Sequence, residues 1–372
     1  MKKGLRIKFA LICFITFIFP NAFQVGVLAA SGSANEDFNQ PVEIIETAGM
    51  NGYYEYNLYT KEETFVPASE YMPVPMSIES KTESEKPCDT AILNTFYTEY
   101  FEDDEESLIE GSSNANIQPF GVIGNDDRKE IGSVVDPYTH VCLVVARYAN
   151  DKKAYGTGFL IDDRYVLTAG HLVYCKEWGG YADHFAVYAG SHNGKYKAYS
   201  LAHKFKVGGQ FVSEYDDRSK SRFDDWGIVI CDTSLGSVGK FGIRVTNSAA
   251  DMKGYEYTTA GYPARLNEEE FNYPEDNTAN LIQYKMYRAT GKILNDEPSP
   301  VTRYLPVVGM DIDIEGGQSG SPIYRYISGS GNCAQAIVIG EAMDSFGSPL
   351  YNSAILINDW LYNAMVSWGI FD

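Results

Sequence analysis

Acyl transfer by a serine needs a hydroxyl, a base to take its proton, a carboxylate to orient that base, and donors for the developing oxyanion. The sequence offers one run for each. Gly316-Gly-Gln-Ser-Gly-Ser-Pro322 supplies the hydroxyl, with glycines at 316, 317 and 320 that let the backbone turn tightly around Ser319. In such a turn the N–H groups of Gly317 and Ser319 can point to one spot, and one oxyanion donor contributes about 2.7–4 kcal/mol in the transition state. Tyr165-Val-Leu-Thr-Ala-Gly-His171 supplies the base, presented by a small-residue turn after an apolar strand. The other histidines, His140, His184, His192 and His203, lack that setting and read as surface or structural residues. Asp225 heads the apolar run Asp225-Trp-Gly-Ile-Val-Ile230 and supplies the carboxylate, whereas its neighbour Asp224 is expected to face solvent.

These residues require a scaffold of strands. From 122 to 372 short apolar runs alternate with turns, as in Val141–Ala146, Gly158–Ile161, Tyr165–Thr168, Trp226–Ile230 and Ala336–Gly340. That spacing implies an all-β sandwich or barrel. Apolar residues at helical spacing over 357–368 imply one closing helix, with Asn358 or Asp359 as its cap. Composition agrees: 28 Tyr and 34 Gly favour strands and turns, and 44% hydrophobic residues suffice for a sizeable core. A net charge of -20 argues against nucleic-acid partners, whose phosphates require a basic surface.

The charge divides the chain into three parts. Residues 1–29 are basic at the start and carry the apolar run 9–19 and the small-residue site Val27-Leu-Ala29-Ala30, the pattern of a secretory signal peptide. The run is short for a membrane span and ends at Pro20. Residues 30–121 are strongly acidic and weak in hydrophobic periodicity, which fits either a solvated linker or a propeptide. Residues 122–372 hold all three chemical runs.

The order His171, Asp225, Ser319, with Thr168-Ala-Gly-His171, Asp225-Trp-Gly-Ile-Val and Gly317-Gln-Ser-Gly-Ser-Pro322, resembles the chymotrypsin-like serine proteases, and within them the bacterial glutamyl endopeptidases. Gly156-Thr-Gly-Phe-Leu-Ile161, Val338-Ile-Gly340 and Ala354–Asn358 extend the resemblance over 122–372. It implies two six-stranded antiparallel barrels with a C-terminal helix, preceded by a signal peptide and propeptide. It also implies a secreted serine endopeptidase, acting as a monomer on proteins or peptides, silenced by its own propeptide, and needing no cofactor or metal.

Val122-Ile-Gly-Asn-Asp-Asp-Arg128 resembles the mature start of the glutamyl branch, so cleavage is expected between Gly121 and Val122. In the animal digestive relatives an Asp precedes the nucleophile and pairs with the new amino terminus. Gln318 stands there in this chain, so activation must differ, with Val122 placed near the specificity pocket.

The substrate-binding positions implied by the resemblance are Asp313, Ile314, Ala342, Met343 and Ser345. Ile314 and Ala342 stand where the glutamyl branch carries a Thr and a His, and neither offers a side-chain donor for a substrate carboxylate. Asp313 stands where an acidic pocket floor selects Lys or Arg. Segment 342–345 is expected to pair with the substrate backbone as an added strand.

Four cysteines remain after 121, Cys142, Cys175, Cys231 and Cys333, enough for two disulfides in an oxidising location. The resembling fold makes Cys142 with Cys175 plausible, though all three pairings stay open. No zinc or calcium template matches. Two other classes compete: an inactive protease fold used for binding, and a sugar-binding module suggested by the many Tyr.

Overall fold

The computed structural model describes residues 52–67, 121–149, 152–268, 283–297, 305–343 and 349–371, all within one compact unit, Thr47–Asp372. The signal-peptide reading of 1–29 lies outside the described residues, as does most of 30–121.

Residue alternation shows why the strands form. Along His184–Ala189 every second side chain, Phe185, Val187 and Ala189, is buried. Val141–Arg147 reads as a continuous apolar run because both of its faces are covered. Cys142, Val144 and Ala146 point into the first barrel, while Val141, Leu143 and Val145 join a larger core shared with the second half of the chain.

The first half is a closed barrel of six antiparallel strands. Their order is Gly227–Cys231, Tyr165–Thr168, Lys153–Leu160, Val141–Arg147, His184–Ala189 and Ala198–Gly208, and the last pairs back to the first. Closure rests on the long strand Ala198–Gly208, whose register shifts between Ala202 and Lys204. Its first half pairs with His184–Ala189, and residues 202–207 pair with Gly227–Cys231 on the other edge.

The edge that His184–Ala189 leaves free is taken by a hairpin from the acidic second segment. Gly52–Asn57 pairs antiparallel with residues 204–208, and Glu62–Pro67 pairs outside it. Tyr56 stacks on Tyr181 and Phe205, Tyr53 meets Trp368 edge-on, and the buried Lys206 pairs with Glu55. Part of a segment with little periodicity is thus structured, because an open edge completes its hydrogen bonds.

Among the described residues the second half is built on a nine-stranded sheet, with Gly331–Met343 and Pro349–Leu356 at its centre. The closing helix spans Asp359–Ser367, and the Asn358 side chain accepts the Leu361 N–H at 3.0 Å as its cap. Trp360 and Trp368 pack on Trp226, so the end of the chain buttresses the residue after Asp225. Between the halves Arg222 forms a buried ion pair with Glu297, both bound to Ser353.

Candidate active site

His171 lies in a single 3-10 turn, Gly170–Leu172, directly after the strand Tyr165–Thr168. A side chain at Gly170 would sit 3.0 Å from Asp225 Oδ1 and the Trp226 backbone, so only glycine lets the turn press onto Asp225. Asp225, fully buried, accepts twice: Oδ1 from the His171 backbone N–H at 2.8 Å, and Oδ2 from Nδ1 at 2.8 Å. A carboxylate only accepts, so Nδ1 carries the proton and Nε2 presents its lone pair. Nε2 is buried and has no hydrogen-bond partner among the described residues.

Ser319 arrives from the other half. Gly317 and Gly320 both take positive φ, +85° and +86°. A Cβ on Gly320 would collide with Thr157 O and Thr168 Oγ1 and lie 3.0 Å from Ala169 N. The turn is therefore seated on the residues that lead into His171. Thr157 locks it there: its N–H donates to Ser319 O at 2.9 Å and its hydroxyl to Gly317 O at 2.8 Å. Gln318 N–H donates to Glu315 O and Gly320 N–H to Val338 O, while the N–H groups of Gly317 and Ser319 have no acceptor among the described residues.

Asp224 corrects the sequence reading. It is buried, not solvent-facing, because the turn before Asp225 tucks under Gly208–Gln210. It accepts the Gln210 N–H at 2.8 Å and the Trp226 indole N–H at 2.7 Å. Burial outweighs these donors and pushes its carboxyl up to about 7.

No disulfide joins Cys142, Cys175, Cys231 or Cys333, all four of which are buried. Cys142 points into the first barrel beside Cys231, while Cys175 lies beyond the histidine turn and donates towards Glu177 at 3.5 Å. Cys142, Cys175 and Cys231 all belong to the core of the first barrel. Cys13 and Cys88 lie outside the described residues.

The expected pocket residues form a second layer of contacts. Asp313 is buried, and its two oxygens accept the N–H groups of Ile123 at 2.8 Å and Asp127 at 2.9 Å. Ile314 and Ala342 are buried and apolar. Met343 ends the strand Gly331–Met343, and Ser345 lies outside the described residues. Arg128, which sequence reasoning did not single out, is buried against Asp126 and Glu315 and reaches Gln318 Oε1 at 3.4 Å. Asn352 was also missed; its side-chain amide donates to Gly121 O at 2.6 Å and Ile312 O at 2.7 Å. No local signal marks either residue, since both act on partners far away in the chain. The segment 121–128 thus wraps the base of the nucleophile turn.

Comparison with known proteins places this geometry. The trypsin family profile matches residues 131–342, more than half of the chain, and the chain belongs to that family. It is a serine endopeptidase of the chymotrypsin-like class. Its sequence is 29% identical over 258 residues to a Bacillus subtilis (strain 168) protein named extracellular metalloprotease, covering 68% of this chain and 71% of that one. It is 24% identical over 249 residues to a glutamyl endopeptidase of Bacillus licheniformis, covering 66% and 68%. The solved structure of a Glu endopeptidase in complex with MPD shares the fold, with a TM-score of 0.50 and 20% identity over 67% of this chain and 99% of that one. Among the described residues no group of three or more His, Cys, Asp or Glu side chains is arranged to hold a metal ion. Among the described residues, no helix is long and apolar enough to cross a membrane.

Proposed function

We propose that the chain is a secreted serine endopeptidase in which His171, Asp225 and Ser319 form the catalytic triad. The observation that carries this reading is the double grip of Asp225 on His171, which leaves Nε2 without a hydrogen-bond partner among the described residues, together with the seating of the Ser319 turn on Thr157, Thr168 and Ala169, the residues that lead into His171. Nε2 takes the Ser319 proton as Oγ bonds to the substrate carbonyl carbon. The N–H groups of Gly317 and Ser319 hold the resulting oxyanion, and Asp225 stabilises the imidazolium. His171 then protonates the leaving amine, and water, deprotonated by the same ring, releases the acyl group.

Residues 1–29 act as the signal peptide and 30–121 as a propeptide. The hairpin 52–67, docked on the free edge of the first barrel, supports the second assignment. At the pocket, both Asp313 oxygens are already bonded to backbone N–H groups, which argues against Lys or Arg specificity. Ile314 and Ala342 present no donor to a Glu side chain, so the preferred residue is small or apolar. A fluorophosphonate probe should label the secreted protein and fail on Ser319→Ala. No labelling of the wild type would instead favour an inactive, binding-only fold. Cleavage of a peptide library should show no preference for Lys, Arg or Glu, and a clear preference for any of them would reject the pocket reading.

A further inference from the structure

The end of the strand Ala198–Gly208 alternates in a way that should leave a lysine in water. Phe205 and Val207 belong to the core of the first barrel, so Lys204, Lys206 and Gly208 lie on its outer face. Lys204 is exposed, yet Lys206 is only 4% exposed. Its cover comes from the hairpin. Glu55, directly opposite Lys206 in the register, forms an ion pair with it. The Lys206 ammonium lies 4.8 Å from the ring centres of both Tyr53 and Trp368, which meet edge-on at 4.7 Å. Burial lowers the value of the ammonium, and Glu55 opposes that shift. The other face of Gly52–Asn57 is used as well. Tyr56 stacks on Phe205, and Leu58, just beyond, joins the core of the first barrel. The Leu58 N–H donates to His203 O at 2.7 Å, which extends the ladder. The strand is therefore packed on both faces, like an internal one. These contacts fall on the barrel edge and Trp368, not on the turns of His171 and Ser319.

Two routes lead from the hairpin to Asp225. The first runs through the turn 208–210. A Cβ on Gly209 would lie 2.9 Å from Gly52 O, and a Cβ on Gly208 would lie 2.1 Å from Asp224 O. The turn is thus gripped between the hairpin and the residue before Asp225. Gly208 N–H donates to Trp226 O at 3.1 Å, and Gln210 N–H to Asp224 Oδ2 at 2.8 Å. The second route runs through Trp368, whose ring touches Tyr53 on one side and stacks on Trp226 on the other. Asp225 sits between the two residues so anchored, Asp224 and Trp226.

We propose that the hairpin 52–67 is a lasting part of the active enzyme: once the chain is cut between residues 68 and 122, the piece that carries it stays on the first barrel as a second, non-covalent chain and holds Asp225 in place. The proposal rests on the serine endopeptidase reading. The cut adds one water across one peptide bond and breaks none of the contacts of 52–67 just described. It does remove the tether, so dilution then opposes the association, and the ladder, the ion pair and the buried Tyr53 and Leu58 side chains hold the piece. Without it the main-chain edge of 204–208 would open and Lys206 would lose its acid. The role of residues 52–67 is positioning, not silencing.

The test starts with the secreted wild-type protein, passed through gel filtration at neutral pH and then denatured for mass spectrometry. The active fraction should hold two chains in equimolar amounts, the protease domain and a peptide that spans 52–67. Active protein without that peptide, or active protein that is never cut, overturns the proposal. The positioning role is read from Tyr53→Ala and Tyr53→Phe, with kcat expressed per site titrated by a fluorophosphonate. Tyr53→Ala should lower kcat by about tenfold with KM changed less than about twofold, and Tyr53→Phe, which keeps the ring against Trp368 and Lys206, should stay within about twofold of wild type in both. Wild-type kcat in Tyr53→Ala, or an equal loss in Tyr53→Phe, overturns it. If Tyr53→Ala does not fold, the composition of the wild type decides. Fluorophosphonate labelling of wild type but not Ser319→Ala is scored separately, so failure of the retained hairpin is distinguishable from failure of the endopeptidase reading.

Discussion

Replacing Asp225 by Asn tests the arrangement on which the proposed chemistry depends. The carboxylate accepts two N–H groups of His171, each at 2.8 Å, in a site without solvent. An amide has one oxygen and one NH2, so it can accept only one of them. If its oxygen faced Nδ1, its NH2 would face the His171 backbone N–H, and a buried unsatisfied donor costs about 1–3 kcal/mol. The opposite orientation satisfies both contacts, provided Nδ1 gives up its proton. That orientation wins, and it moves the ring proton to Nε2, where the base must have a lone pair. The expected result is a fall in kcat of about 10⁴, or about 5.5 kcal/mol. The change in stability should be small, because every buried group keeps a partner. Steady-state hydrolysis of a chromogenic peptide, alongside thermal melting, measures both quantities. A folded Asp225→Asn protein that retained more than about a tenth of wild-type kcat would refute the tautomer reasoning.

Three further outcomes follow from named contacts. Gly320→Ala places a Cβ against Thr157 O and Thr168 Oγ1 at positive φ, and should cost at least about 1–3 kcal/mol in thermal unfolding while displacing Ser319 and lowering kcat/KM. Asp224, with its carboxyl raised to about 7 when folded, contributes stability that is complete below its unfolded value and lost as pH rises through about 7. Between about pH 4 and 7 the loss approaches about 1.4 kcal/mol per unit, and urea unfolding of Ser319→Ala with and without Asp224→Asn should show that slope only where Asp224 is retained. Arg222→Met leaves the buried Glu297 without its cation and should cost about 3–5 kcal/mol in urea unfolding, whereas adding Glu297→Met should recover most of it.

Much of the chemistry was legible because its causes are local. Glycines at 317 and 320 announce a tight turn around Ser319, and the small residues before His171 announce another. The apolar runs marked strands such as Val141–Arg147, Tyr165–Thr168 and Gly227–Cys231, and Asn358, one of the two expected caps, marks the start of the closing helix. Fully covered strands such as Val141–Arg147 were legible as strands, but the partner of each face was not.

What the tertiary structure decided involves residues distant in sequence. Whether Asp224 faces water depended on where Gly208–Gln210 lies, not on its place before a strand. The cysteines number enough for two bridges, yet the barrel decides which thiols approach one another. The hairpin 52–67 carries little periodicity, and its order comes from an edge that exists only once the first barrel has closed. The bonds of Gly121 to Asn352 and of Arg128 to Glu315 likewise join residues that sequence spacing cannot relate. Residue types and short spacings thus determined what reaction this chain is equipped to run. Spacing singled out Asp225, which grips His171, but only long-range packing decided that its neighbour Asp224 anchors a turn and that Glu341 is left buried beside Gly121.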